Sequence, residues 1–256
     1  KGKASLTWGN HEWKIYRYLK GNNVQLGPPN LVTTDQMENS PNFVNVFLDV
    51  CSYAQDIIKL SESIYVTHAG VHPNYWLDPD SLKRRQKDIF KWGTSDDAGK
   101  KYRYRGQDYP IRIYEWVKFV PEGVQLFVGH DPRPMQGVPD FDNFQEQPTT
   151  YDSDLGGTTT FLDCGAGKGG KLFGAIVNTD TNIVEEYVMD GQTNQGGSVS
   201  NHRSWIDQSP GLTSEQAKDI TTARKSEACI KAIGSAEGTG CLLYTSDAAD
   251  ERSSVD

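Results

Sequence analysis

The stretch "TWGNHEWKIYRYL", Thr7–Leu19, changes character at a single Gly-Asn corner. Ala4–Trp8 reads as a short strand, Gly9-Asn10 as a turn, and His11–Leu19 as a helix. The helix would turn Ile15, Tyr18 and Leu19 inward, and Gly21 suits its C-terminal cap. An Asn, a His and a Glu thus stand together where a strand passes into a helix. Working outward, the same arrangement recurs in "SIYVTHAGV" (Ser63–Val71), "VQLFVGHDP" (Val124–Pro132) and "TTTFLDCG" (Thr158–Gly165). Each reads as a strand that ends in a polar cluster, at His68, His130 and Asp163. Sites in open α/β sheets form in the crevice beyond the carboxyl ends of the strands. If these strands are neighbours, the four clusters meet in one place.

Between them the pattern is mixed. Gln25–Asn42, with paired prolines and little periodicity, reads as a loop, and Phe43–Leu60 as an amphipathic helix or pair of helices. Asp80–Trp92 reads as a charged helix, Gly93–Pro110 as a long excursion, Ile111–Phe119 as helical and Gly137–Gly157 as an acidic, proline-bearing loop. "KLFGAIVN" and "NIVEEYVM" flank "TDT" as an antiparallel hairpin. The core is expected from Leu6, Ile64, Tyr65, Val66, Leu126, Phe127, Val128, Phe161, Leu162, Ile176 and Val177. No internal repeat is visible.

Composition narrows the classes. The chain has 256 residues, 36% hydrophobic and 23% charged, which suits a soluble protein with a buried core. No apolar run reaches the roughly 18 residues of a membrane span, and no signal-peptide pattern opens the chain. A net charge of -8 opposes general nucleic-acid coating, though not a small basic pocket. The four cysteines have no C-x-x-C spacing, so a disulfide framework or zinc knuckle is not expected and a reducing, cytoplasmic setting is.

Three of the five histidines, His11, His68 and His130, lie at strand ends beside glycine, as "GNH", "THAG" and "GHD". Neutral imidazoles suit Zn, Mn, Fe, Ni or Co, and an Asn carbonyl oxygen adds a harder ligand. In order and approximate spacing, "GNHE" (Gly9–Glu12), "THAG" (Thr67–Gly70), "GHDP" (Gly129–Pro132) and "LDCGAGKGGKL" (Leu162–Leu172) resemble the calcineurin-like metallophosphoesterases. The resemblance runs from about Ala4 to Met189 and is strongest to the phosphoprotein-phosphatase branch. That branch includes bis(5'-nucleosyl)-tetraphosphatases and the phosphatase domain of bacterial polynucleotide kinase-phosphatases. "FKWGTS" and the "RIYEW" that precedes "LFVGHDP" resemble the polynucleotide type in particular.

The resemblance implies an α/β fold, a two-sheet αββα sandwich here lacking its first strands. It implies Asn10, His68 and His130 as metal ligands, and His11 as the acid that protonates the leaving oxygen. Glu12 would support the turn, Asp163 would orient a ligand or water, and Arg112 would grip substrate phosphate, with Arg103 and Arg105 as competitors. The implied cofactor is a divalent metal, two ions in the intact parent (Mn, or Fe, Zn or Ni). The implied chemistry is in-line attack by a water shared between them, its pKa lowered toward about 7. The implied partner is a phosphorylated substrate: a nucleotide, a polynucleotide end or a phosphoprotein. Cys164 is expected to be a small buried residue and not a nucleophile.

The sequence departs from the family at its start, where the family's Asp-x-His and GDxxDRG motifs are not found. Asn10, His68 and His130 are three neutral ligands with no bridging carboxylate, so at most one ion and little activity are expected of this chain. The resemblance implies a metallophosphoesterase domain at 1–190, and a polar and weakly structured extension at 191–240 and a last part at 241–256 are expected to follow. The last part, "CLLYTSDAADERSSVD", resembles a translated sequencing-adapter end and is expected not to be native. With Lys1 in place of an initiator Met, the chain reads as a fragment whose exposed sheet edge would favour aggregation.

Three rival readings stand beside this one. "GAGKGGKL" (Gly165–Leu172) nearly spells a phosphate-binding P-loop, but Leu172 replaces the Ser or Thr, and a strand is expected to follow where a P-loop opens a helix. The scaffold could instead hold phosphorylated ligands without catalysis, or act on Ser/Thr phosphoproteins, since one fold hosts many substrates.

Overall fold

The structure is a computed structural model, and it describes residues 4–96, 99–104, 107–135, 144–166, 169–179, 181, 183–189 and 239–243. The reading of 191–238 and 244–256 lies outside the described residues, as does Arg105. In chain order the helices are α1 (Asn10–Leu19), α2 (Pro28–Glu38), α3 (Pro41–Cys51), α4 (Arg84–Lys87) and α5 (Ile89–Trp92). The strands are β1 (Ile57–Lys59), β2 (Ile64–Thr67), β3 (Thr94–Ser95), β4 (Lys101–Tyr104), β5 (Gln107–Pro110), β6 (Arg112–Ile113), β7 (Gln125–Val128), β8 (Thr149–Asp152), β9 (Thr158–Phe161), β10 (Leu172–Asn178), β11 (Ile183–Met189) and β12 (Thr239–Leu243).

The class is mixed α/β. A five-stranded sheet has the order β1-β2-β7-β9-β8, and a three-stranded sheet has the order β11-β10-β12. In the larger sheet β2, β7 and β9 are parallel neighbours, and antiparallel β1 and β8 close its edges. The expected hairpin forms between β10 and β11, and β12 pairs with the other side of β10.

Each face of the large sheet is covered. Ile64 and Val66 of β2 and Phe127 of β7 pack with Leu162 and with Ala175 and Val177 of β10, which brings the two sheets together. On the opposite face Leu126, Val128 and Phe161 pack with Phe90 of α5, and with Trp116 and Val117 of a 3-10 turn at Glu115–Phe119. The alternation along β7, Phe127 to one side and Leu126 and Val128 to the other, is the period-two geometry of a strand buried on both faces. Of the expected core, Leu6, Tyr65 and Ile176 are only half-buried.

Several local expectations are corrected. Ala4–Trp8 is not a strand: among the described residues it pairs only at Gln55, through the amides of Trp8 and Gln55. Gln25–Asn42 is not a loop but contains α2. Its two prolines, read as breakers, occupy the first turn, where a missing N–H costs nothing and the fixed φ suits a helix. The helix after Phe43 stops at Cys51, and the chain enters β1 instead of continuing to Leu60. Asp80–Trp92 is not one helix: a 3-10 turn is followed by α4 and α5, which meet at Asp88. Gly93–Pro110 holds β3 and the β4–β5 hairpin, and Ile111–Phe119 forms β6 and the 3-10 turn in place of a helix. Within Gly137–Gly157, Thr149–Asp152 is the edge strand β8.

Candidate metal centre

The corner after Trp8 forms as expected. Asn10 opens α1, and Gly9 is its N-cap in an extended conformation. A Cβ on Gly9 would lie 2.1 Å from Glu12 Oε2 and 3.2 Å from His68 Cε1, so the carboxylate of Glu12 and the ring of His68 occupy the space that glycine leaves. Glu12 in the first turn also complements the helix dipole. At the other end Gly21 has φ +79, and the amides of Gly21 and Asn22 bond to the carbonyls of Tyr18 and Arg17, a Schellman cap.

The parallel strands bring three of the predicted residues to one sheet edge. The register pairs Val66 with Phe127 and Val128 with Phe161. The ladder continues past the strand ends: the Gly129 amide donates to the His68 carbonyl at 2.9 Å, and the Leu162 amide to the Val128 carbonyl at 2.8 Å. The rings of His68 and His130 are tilted at 54° to one another with centroids 4.9 Å apart. Asp163 follows β9 by two residues, as His130 follows β7, and all three are buried. His130 sits at φ +67, and the Asp131 amide bonds back to the Gly129 carbonyl at 2.7 Å, a tight three-residue turn that a non-glycine residue adopts only under strain.

Asn10 completes the group from α1. Its Oδ1 lies 3.0 Å from His68 Nε2, and the side chain has no exposed surface. An amide oxygen only accepts, so the imidazole Nε2–H donates. Asn10 Nδ2 is buried and has no hydrogen-bond partner among the described residues. Two donor atoms 3.0 Å apart, each about 2.1 Å from a shared ion, subtend about 90° at it, which suits octahedral coordination. The residues therefore fit one cation, once Nε2 exchanges its proton for the ion. Among the described residues no three His, Cys, Asp or Glu side chains converge on a metal-binding position. The amide of Asn10 meets His68, and His130 lies beside His68.

The remaining candidates make their own contacts. His11 Nδ1 contacts Asn30 Oδ1 at 2.5 Å, and Asn30 is 4% exposed. With the amide oxygen as acceptor, the imidazole donates from Nδ1. Sequence reasoning missed Asn30 because it assigned that segment to a loop; the Pro-Pro helix start before it was the available signal. Asp163 Oδ1 accepts from the Gly165 amide at 2.8 Å, and the Gln145 side chain donates to the Asp163 carbonyl at 2.6 Å. Arg112 Nη1 donates to the Trp92 carbonyl. A Cβ on Gly93 would lie 3.5 Å from that same nitrogen and 3.9 Å from Ala69 Cβ, so the guanidinium reaches the neighbourhood of the residue after His68. Arg103 instead pairs with Asp108 on the exposed β4–β5 hairpin. Asp131 receives the Tyr114 hydroxyl and the Arg133 amide, and its charge, after burial, helps push the Tyr151 phenol up. Cys164 is buried beside the Gly165 turn. The "GAGKGGKL" segment leads into strand β10 and not into a helix, which removes the P-loop reading.

No helix among the described residues is long and apolar enough to cross a membrane. No protein-family model and no curated protein matches the chain.

Proposed function

We propose that the chain is a phosphoesterase of the calcineurin-like metallophosphoesterase type, with Asn10, His68 and His130 holding a divalent cation such as Mn. The observation that carries this reading is the meeting of an amide oxygen and an imidazole nitrogen 3.0 Å apart, beside a second imidazole, beyond the ends of parallel strands. Packing of β10 against β2 and β7 supports the family's αββα sandwich as the finer description of the fold. The bound cation would supply Lewis acidity toward a phosphoryl oxygen and acidify water at neutral pH. His11, steadied by Asn30 through Nδ1, gives a proton from Nε2 to the departing oxygen. Arg112 takes a phosphate oxygen, and Asp163 orients a ligand or water. The preferred substrates are nucleotides or polynucleotide ends.

Three neutral ligands leave the charge of a cation uncompensated, so binding is weak, one ion per chain, and turnover is slow. The same neutrality favours a second reading, a module on this scaffold that holds phosphorylated ligands without hydrolysing them. The test is Mn titration of the full chain by calorimetry, with release of p-nitrophenol from p-nitrophenyl phosphate measured alongside. One site that is lost in Asn10→Ala and His68→Ala, with slow metal-dependent turnover, is expected. A site without turnover supports the binding module. Absence of any Mn site overturns both.

A further inference from the structure

An open groove of about 1120 Å³ runs alongside the candidate centre, between α1 and the segment from Leu82 to Asp96. Its composition opposes that of the chain. The protein has 34 acidic against 26 basic residues, yet the groove is lined by six cations, Lys14, Arg17, Arg84, Arg85, Lys87 and Lys91, against Asp56, Asp88 and Asp96. Trp8, Trp13 and Trp92 line it too, which is half of the six tryptophans in the chain. Cations and indoles are interleaved: Lys14 Nζ lies 4.9 Å from the Trp92 ring centroid, and Lys91 Nζ lies 5.4 Å from that of Trp13. Lys91, itself buried, pairs with half-buried Asp56 at 2.7 Å and so serves the floor, whereas Arg84, Arg85 and Lys87 are exposed along one wall.

From these residues we infer that the groove binds single-stranded nucleic acid. Phosphodiesters follow Arg84, Arg85 and Arg17, and a base takes the place of Lys14 Nζ over the indole of Trp92, whereas Trp13, stacked on Tyr16 with Lys91 over its ring, serves the wall. A basic track with aromatic platforms is the chemistry that single strands require, because each base presents a π-face and each linkage a charge. Duplex offers only the charge, and a phosphopeptide offers too few anions to use the length of the wall. The groove reaches the candidate centre through Gly93, a lining residue whose missing Cβ leaves Arg112 Nη1 and Ala69 close by. A strand lying in it would present its end toward His68. That delivery role rests on the phosphoesterase reading, but the binding does not.

The experiment uses the full chain in EDTA with fluorescein-labelled ten-nucleotide oligodeoxythymidylate and oligouridylate that carry no phosphate monoester, read by anisotropy and by tryptophan quenching. Both strands are expected to bind and to quench, with affinity falling linearly in log salt. The Arg84→Ala/Arg85→Ala double variant removes exposed side chains, so the fold is retained, and it should lower the magnitude of the salt slope by about 1.4, at about 0.7 per phosphate contact. An abasic strand of equal length should bind at least about fivefold more weakly for each stacked base lost. No binding, equal affinity for abasic or duplex competitors, or an unchanged slope in the double variant overturns the inference. Because no metal and no hydrolysis enter the assay, failure of the phosphoesterase reading leaves the outcome separate.

Discussion

Asn10 Oδ1 and His68 Nε2 lie 3.0 Å apart, although 58 positions separate the two residues in the chain. A helix start and the end of a parallel strand have to be fixed independently for this contact to exist. The contact is therefore a direct probe of the site. Asn10→Ala should weaken Mn affinity about tenfold or more and leave a buried imidazole N–H without its acceptor, costing about 1–3 kcal/mol of stability. Asn10→Asp, which supplies the missing negative charge, should bind Mn more tightly than the parent chain. Calorimetric titration of the three proteins checks both, and equal affinities would remove Asn10 from the ligand set.

The contact between His11 and Asn30 predicts a leaving-group effect. Proton donation matters little when the departing oxygen is already a stable anion and greatly when it is an alkoxide. His11→Ala should therefore slow alkyl phosphate hydrolysis by about a hundredfold and p-nitrophenyl phosphate hydrolysis far less. Asn30→Ala should reduce the same selectivity by freeing the imidazole to change tautomer, with Mn binding unchanged. Comparison of the two substrates for each variant is the measurement, and a uniform loss across both would assign His11 to structure.

The parts legible in the sequence were those with strong local patterns. Ile64, Val66, Leu126, Phe127, Val128 and Phe161 mark strands buried on both faces, and each strand's polar terminus is set off by glycine, so β2, β7 and β9 and their site residues could be read directly. The strand order that makes them neighbours was assumed, because pairing is a tertiary property that no window contains. Helix α2 was hidden by Pro28 and Pro29, which break a helix interior but open a helix start, and Asn30 was hidden with it. The groove was invisible for a different reason. Trp13 and Arg17 lie on α1 while Arg84 and Arg85 lie on α4, and only folding puts those two short signals on facing walls.

Cys51 yields a pH prediction. Burial, reinforced by the charge of Glu12, pushes its thiol up from 9.0 to about 12. The thiol is neutral when protonated, so the folded chain keeps a proton that the unfolded chain releases. This contribution to stability is complete below about pH 9 and is lost as the pH rises toward 12, by about 1.4 kcal/mol per unit across that window. At pH 8 the Cys51 peptide should stay unmodified by iodoacetamide in the native chain and react fully in urea. Rapid native labelling, followed by mass spectrometry, would show that the α3 end opens.

Gly165 tests how the Asp163 turn is held. The residue sits at φ +75, where a side chain is strained, and a Cβ there would lie 2.4 Å from the nearest ring carbon of Phe144. Both the backbone and an aromatic ring therefore oppose any larger residue. Gly165→Ala should destabilise the protein by about 2–4 kcal/mol, combining strain at positive φ with overpacking. Relief at the ring should separate the two contributions: adding Phe144→Ala removes the clash but leaves the strain, so the double variant should lose less than the sum of the singles. The Gly165 amide also donates to Asp163 Oδ1, so a shifted turn should lengthen that contact, while Cys51 keeps its protection. Thermal melts of the four proteins measure the coupling. Strict additivity would mean that Phe144 does not pack against this turn in solution and that the backbone conformation alone requires glycine.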